Sequence, residues 1–335
     1  MNNPYWQNSF FEFFITLVTR LFEGFRGALF SDEVQLFVLI AIAISSALCG
    51  TFLIWRRMSM LANSLSHTIL AGIVMAYLVY SWLYQPSARL DFSRLLPSDS
   101  FLLGAGILMA LLTTFLTQSA CLLFGISEDA STGIVFTLLF AVGILLVTSL
   151  TKSAHVGVEL LMGNVDALSY DDLLLGVTIC FANIFIVLIL WRALFLTSFD
   201  PIFAQVSGIS VGFYSYLLMI LVAITAVAAF RAVGVLLFLA LLVTPPLIAR
   251  RLTDNFKKVL LYSCLVGATA SLLGVAFSRH LLSVYSLAVS TGALVVSLLF
   301  VLYMLTLLVD AVCKKRVQAS PKKAFSKQDE SGIAI

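Results

Sequence analysis

Apolar residues come in long runs along this chain, each about the length of a membrane crossing and separated from the next by a short polar break. The runs lie at about 34–55, 61–83, 100–124, 131–150, 171–191, 212–230, 233–249, 257–277 and 288–310. A hydrocarbon core ~30 Å thick takes about 20 apolar residues at ~1.5 Å of helical rise each. The pattern therefore predicts an all-α polytopic membrane protein of about nine transmembrane helices, with eight to ten permitted.

The segment 9–30 departs from that pattern. Glu12, Arg20, Glu23 and Arg26 are interspersed with Phe10, Phe11, Phe13 and Phe14, which suits an amphipathic helix in the interface better than a span. The expected organisation is 1–33 as an N-terminal interfacial or first membrane-associated segment and 34–310 as the transmembrane domain. The remainder, 311–335, is expected to be a basic, disordered cytoplasmic tail. The charges within Met1–Phe30 leave no cleavable signal peptide in evidence.

Composition strengthens the membrane reading: 61% of the 335 residues are hydrophobic and 11% charged, where a soluble domain carries roughly a quarter charged residues. The net charge of +3 matters less than its placement. If the nine spans alternate, Arg56, Arg57, Arg192, Arg250, Arg251, Lys257, Lys258, Lys314, Lys315 and Arg316 fall on one side. Arg89, Arg94, Lys152, Arg231 and Arg279 fall on the other. The richer side is expected to be cytoplasmic, which puts the C-terminus inside a bacterial inner membrane, with lipid and not nucleic acid as the surroundings. Cys49, Cys121, Cys180, Cys264 and Cys313 form no CxxC pair and read as small buried hydrophobes.

Three stretches carry candidate chemistry. His67 lies about ten residues past Arg57, roughly 15 Å into the bilayer, or about 9 Å if the core begins nearer Leu61. Asn63 is one turn away on the same face. An ionisable group at that depth marks an ion pathway, or else is an imidazole hydrogen-bonded to Ser64, Ser66 or a carbonyl. In the loop after the fifth span, Asp200 before Pro201 is a helix start and Gly208 a stop. A helix of about two turns presenting Ile202, Phe203 and Val206 is either a partner-docking element or a connecting interfacial helix. Paired prolines at Pro245 and Pro246 predict a helix break, either lining a cavity or simply ending the span. On the outer side, His155 and Glu159 share a helical face, and His280 is placed in the last external loop. These are possible vestibule ligands for Mn, Fe or Zn.

Some motifs are absent. The chain has no GxxxxGK[ST] and no HExxH, so it holds no phosphate loop and no zinc-hydrolase helix of those types. Carboxylates are missing from the middle of every predicted span, which argues against proton coupling through intramembrane acids.

Together these segments resemble the membrane subunit of the zinc/manganese/iron ABC importers, the ABC-3 permease family, from about Leu36 to Leu308. The family's Leu-Arg-Arg … Gly-Asp-Ala-Leu-Ser-His … Gly pattern is similar to Trp55-Arg56-Arg57 … Ala62-Asn63-Ser64-Leu65-Ser66-His67 … Gly72. Leu161-Met162-Gly163-Asn164 resembles its Leu-Phe-Gly-Asn. Phe199-Asp200-Pro201 … Ala204 … Gly208 resembles its coupling loop, and Val233-Gly234 … Ala240-Leu241-Leu242 … Pro245 … Ala249-Arg250 its later signature. The resemblance implies a type II ABC importer permease-like bundle, itself no enzyme and without a tightly bound cofactor, that passes a divalent metal ion. Its implied partners are a cytoplasmic ATPase dimer, a second permease and an extracytoplasmic metal-binding protein. It makes Phe199, Asp200, Pro201, Ala204 and Gly208 the ATPase-coupling loop and His67 a metal ligand. Where the family has aspartate this chain has Asn63, a weaker ligand, so the expected second permease is a non-identical one that keeps the acid. The competing expectation is an ATP-independent secondary transporter or channel.

Overall fold

Helix starts follow local capping chemistry. The structure is a computed structural model that describes residues 4–5, 9–22, 29–56, 58, 64, 68, 71–72, 75, 79, 99–151 and 165–329. Its helices are α1 (Phe10–Phe22), α2 (Ser31–Trp55), α3 (Asp99–Phe124), α4 (Glu128–Thr151), α5 (Tyr170–Ile189) and α6 (Trp191–Phe199). They continue as α7 (Pro201–Val206), α8 (Val211–Val233), α9 (Val235–Leu252), α10 (Phe256–Tyr285) and α11 (Thr291–Asp329). At the start of α5, Ser169 and Asp172 form a reciprocal capping box. At the start of α10, Asn255 accepts the Lys257 N–H at 3.1 Å. Each pairs a backbone donor that the helix itself leaves open.

Eight of the described helices are long and apolar enough to cross a membrane, and no strand occurs among the described residues. The expected run 61–83 lies largely outside the described residues. Helix α2 is the hub of the bundle, packing against α5, α8, α9 and α10, while α3 joins α4 to the bundle through α8. Small residues make this possible: Ala41, Ala43, Ser45, Ser46, Ala47 and Gly50 line α2, and Ala223, Ala226, Ala228 and Ala229 line α8, all buried. In lipid, close backbone approach replaces the hydrophobic drive as the source of packing energy.

The N-terminal segment is tied into this bundle. Helix α1 has 13 residues, about 20 Å and too short to span. Tyr5 and Phe13 are fully buried. The Tyr5 hydroxyl donates to Glu33 Oε1 at 2.8 Å, and Arg20 pairs with the same carboxylate. Burial, and then the Glu33 hydrogen bond, push the Tyr5 hydroxyl well above the ordinary tyrosine range.

Two expectations change. Helix α10 runs to Tyr285 and stops where Ser286 adopts a left-handed conformation (φ 54°), so His280 lies inside a helix and not in a loop. Hydropathy falls near residue 278, yet nothing there breaks a helix. The Pro245–Pro246 pair causes no helix break either, because α9 continues through both to Leu252. Pro246 leaves the Leu242 carbonyl without its helical donor, and Gly50 of α2 packs against that oxygen so closely that a Cβ at residue 50 would overlap it. The neighbouring helix closes over the freed carbonyl, by the kind of Cα–H contact common at helix interfaces. Helix α11 is the last described element and runs to Asp329.

Candidate functional site

The ends of the bundle differ in charge. Arg56, Arg250, Arg251 and Lys257 gather at one end, where α2 and α9 finish and α10 begins. Asp32, Glu33, Asp166, Asp172, Arg231 and Arg279 gather at the other.

At the basic end, Asp200 caps α7 by accepting the Phe203 N–H at 2.9 Å, with Pro201 as the first helical residue. At its far end, Gly208 takes a φ of +79°. The Gly208 N–H donates to Gln205 O at 3.0 Å and the Ile209 N–H to Ala204 O at 2.9 Å, a Schellman closure whose left-handed residue favours glycine. Both ends of a six-residue helix are thus satisfied locally. Ala204 is fully buried, whereas Ile202, Phe203 and Val206 are 76%, 55% and 82% exposed. That is a small apolar face aimed away from the bundle.

Just before α7 in the chain, the end of α6 joins an aromatic platform. The Phe199 ring meets Phe195, Phe256 and Trp55 at centroid distances of 4.6, 5.4 and 5.6 Å. Trp55 also meets Phe256 at 5.0 Å, and the Arg250 guanidinium sits 4.9 Å over the Trp55 ring. Edge and tilted ring contacts with a cation above them add specific attraction to plain burial. Beside the platform, Arg56 ends α2. It donates to Thr197 Oγ1 at 2.8 Å, to Ser198 Oγ at 3.2 Å and to Ser215 Oγ.

The opposite end is polar. Gln35 Nε2 lies 2.9 Å from Asp166 Oδ1, 3.1 Å from Val165 O and 3.1 Å from Thr291 Oγ1. Thr291 donates to Asp166 Oδ1 at 2.6 Å. Arg279 pairs with Asp32, and Arg231 with Asp172 at 3.2 Å. Asp32, Gln35, Asp166, Arg279 and Thr291, with Ser278 and Ser290, border a cavity of about 460 Å³. Helices α2, α10 and α11 meet here over the turn that leads into α5.

The structure brings together the expected loop residues Phe199, Asp200, Pro201, Ala204 and Gly208. Asn63, His67, His155 and Glu159 lie outside the described residues. His280 is half-buried against the rings of Phe10 and Tyr285, at 6.4 and 6.1 Å. Among the described residues no three His, Cys, Asp or Glu side chains approach closely enough to hold a metal ion.

Residues 33–310 match the model of the ABC 3 transport family. The chain belongs to that family. It is similar to a probable metal transport system membrane protein of Chlamydia trachomatis serovar D, 39% identical over 94% of this chain and 95% of the relative. It is also similar to the manganese transport system membrane protein MntC of Halalkalibacterium halodurans, 32% identical over 71% of this chain and 75% of that one. Among solved structures, PsaBC from Streptococcus pneumoniae in complex with Fab superimposes with a TM-score of 0.64 at 26% identity, covering 86% of this chain and 95% of that one. The fold is thus that of an ABC 3 permease, and α7 with its caps falls inside the matched range.

Sequence reasoning missed the polar contacts between helices. Asn183 of α5 donates to Ser45 of α2 and, at 2.7 Å, to Thr225 of α8. A lone asparagine in the middle of an apolar run was a visible signal. Gln35 near the start of the first run was another. The partners of Arg56 gave no comparable signal, since threonine and serine occur throughout the chain.

Proposed function

We propose that this chain is the membrane-spanning permease of an ATP-driven importer of divalent transition metal ions in a bacterial inner membrane. The observation that carries the reading is the doubly capped α7, next to an aromatic platform at the basic end of an ABC 3 bundle with Ile202, Phe203 and Val206 outward. That end is the cytoplasmic one, by the excess of Lys and Arg. The apolar face of α7 seats in a groove of a separate ATPase subunit, helix in groove. The chain carries no phosphate loop of its own. An extracytoplasmic binding protein delivers metal to the polar end, and ATP binding and hydrolysis open the two ends alternately.

Manganese is the first cargo to test, because relatives such as MntC bear that name; zinc and iron fit the same ligand chemistry. His67 is the metal ligand on the path, and its hold is transient, since a site must release what it binds. Asn63 replaces the family's aspartate, so the companion permease is a paralogue that supplies the acid. A complex assembled from this permease alone and importing at full rate would overturn that pairing.

The test is ATP-dependent uptake of radioactive Mn²⁺ by proteoliposomes holding the purified complex. Wild type should accumulate metal only with ATP, and His67→Ala should assemble normally but accumulate none. Uptake that proceeds without ATP, or that survives His67→Ala, counts against the proposal.

A further inference from the structure

One guanidinium holds both flanks of α7. Thr197 and Ser198 lie just before its cap at Asp200, and Ser215 lies in the second turn of α8, after it. Arg56 donates to all three. The acceptors are prepared for this: Ser198 spends its own proton on Leu194 O at 2.7 Å and Thr197 on the same carbonyl at 3.2 Å, which leaves their lone pairs toward Arg56. Thr197, Ser198 and Ser215 are all buried, and Arg56 is half-buried. A planar fork with five donors reaches three separate hydroxyls at once, which a lysine ammonium on a flexible stem does not reproduce.

Arg56 is also the residue that ends α2. It stands seven residues before Asn63 and eleven before His67 in the chain. A two-turn helix is marginal alone. Clipped at both flanks to α2, α7 moves with α2 as one body. A push on the outward face of α7 therefore passes to the end of α2.

We infer that Arg56 is the positioning residue that couples movement of α7 to α2. The inference rests on the proposed function and adds the route of coupling to it. Its signature is a change in metal moved per ATP consumed, which a residue needed only for folding would not alter.

The experiment compares wild type, Arg56→Lys and Ser215→Ala in the full complex in proteoliposomes. It measures Mn²⁺ uptake, ATP hydrolysis and melting temperature in parallel. Arg56→Lys should assemble and hydrolyse ATP within about twofold of wild type, while Mn²⁺ imported per ATP falls about tenfold, inside the usual range of coupling between sites. Ser215→Ala, which removes a single acceptor, should lower the same ratio about fivefold. If Arg56→Lys does not assemble, the Ser215→Ala ratio decides. Uptake and hydrolysis falling in proportion, or an unchanged ratio, overturns the inference. A wild-type complex without ATP-driven uptake instead refutes the proposed function, so the two failures are separable.

Discussion

Helices α2 and α11 are both apolar enough to cross a bilayer, yet 78% of the apolar window of α2 is buried in the bundle against 17% of that of α11. Helices α8 and α5 repeat the contrast at 72% and 22%. Side-chain size, not hydropathy, separates the pairs. The buried helices carry alanine, glycine and serine where they meet their neighbours. The outer ones carry Phe181, Phe185, Phe300 and Leu305, all exposed from the bundle. Lipid tails are as apolar as leucine, so a large apolar side chain gains little by leaving lipid. A small one lets two backbones close up.

Substitutions can break or sharpen this contrast. The largest effect is expected from Gly50→Val in α2, because the new Cβ meets the Leu242 backbone oxygen, which cannot swing aside. A loss of more than about 3 kcal/mol should show as failure to purify a folded, monodisperse chain. A normal melting temperature for that variant would refute the close packing of α2 on α9. Next is Leu299→Ala, at a fully buried position on the one face of α11 that packs inward. It should cost about 2 kcal/mol in a detergent melting series, the low end for a core leucine.

Asn183→Leu tests the single buried stripe of α5, formed by Gly176, Cys180, Asn183 and Val187. Losing its bonds to Ser45 and Thr225 should cost about 1 kcal/mol, the usual scale of hydrogen bonds between membrane helices. The same assay should show no shift if the stripe faces lipid instead. The smallest effect belongs to Leu305→Ala, on the exposed face of α11. It should stay within about 0.5 kcal/mol, and a loss as large as that for Leu299→Ala would erase the distinction between the two faces.

How much of this was legible in the chain varies with the range of the interactions. The described spans lie near the apolar runs because the cost of moving each segment into lipid is summed along a local window. The shape of α7 was equally legible: Asp200, Pro201 and Gly208 act on backbone groups within a few residues. The end of α10 was not, since falling hydropathy at Ser278 marks the edge of lipid and not the end of a helix. Nor was the continuity of α9 through Pro245 and Pro246, which involves a glycine on α2 nearly 200 residues earlier.

For the candidate site, the exposed apolar face of α7 was readable and its support was not. Ile202, Phe203 and Val206 flank a cap that announces itself. Arg56, however, meets Ser215 from 159 positions away, and Gln35 meets Thr291 from 256. No pattern of period two or 3.6 carries that information.

The sequence by itself determined that this chain crosses a membrane repeatedly as helices, and where a short capped helix interrupts the spans. Those outcomes follow from transfer free energies and backbone capping, both local to a few turns. Only the tertiary structure decided which equally apolar helices lie inside, that Arg56 clips both flanks of α7, and that Gly50 lets α2 close on a helix that runs through two prolines. Each of these depends on the size and geometry of two surfaces meeting, and neither surface is a property of one segment alone.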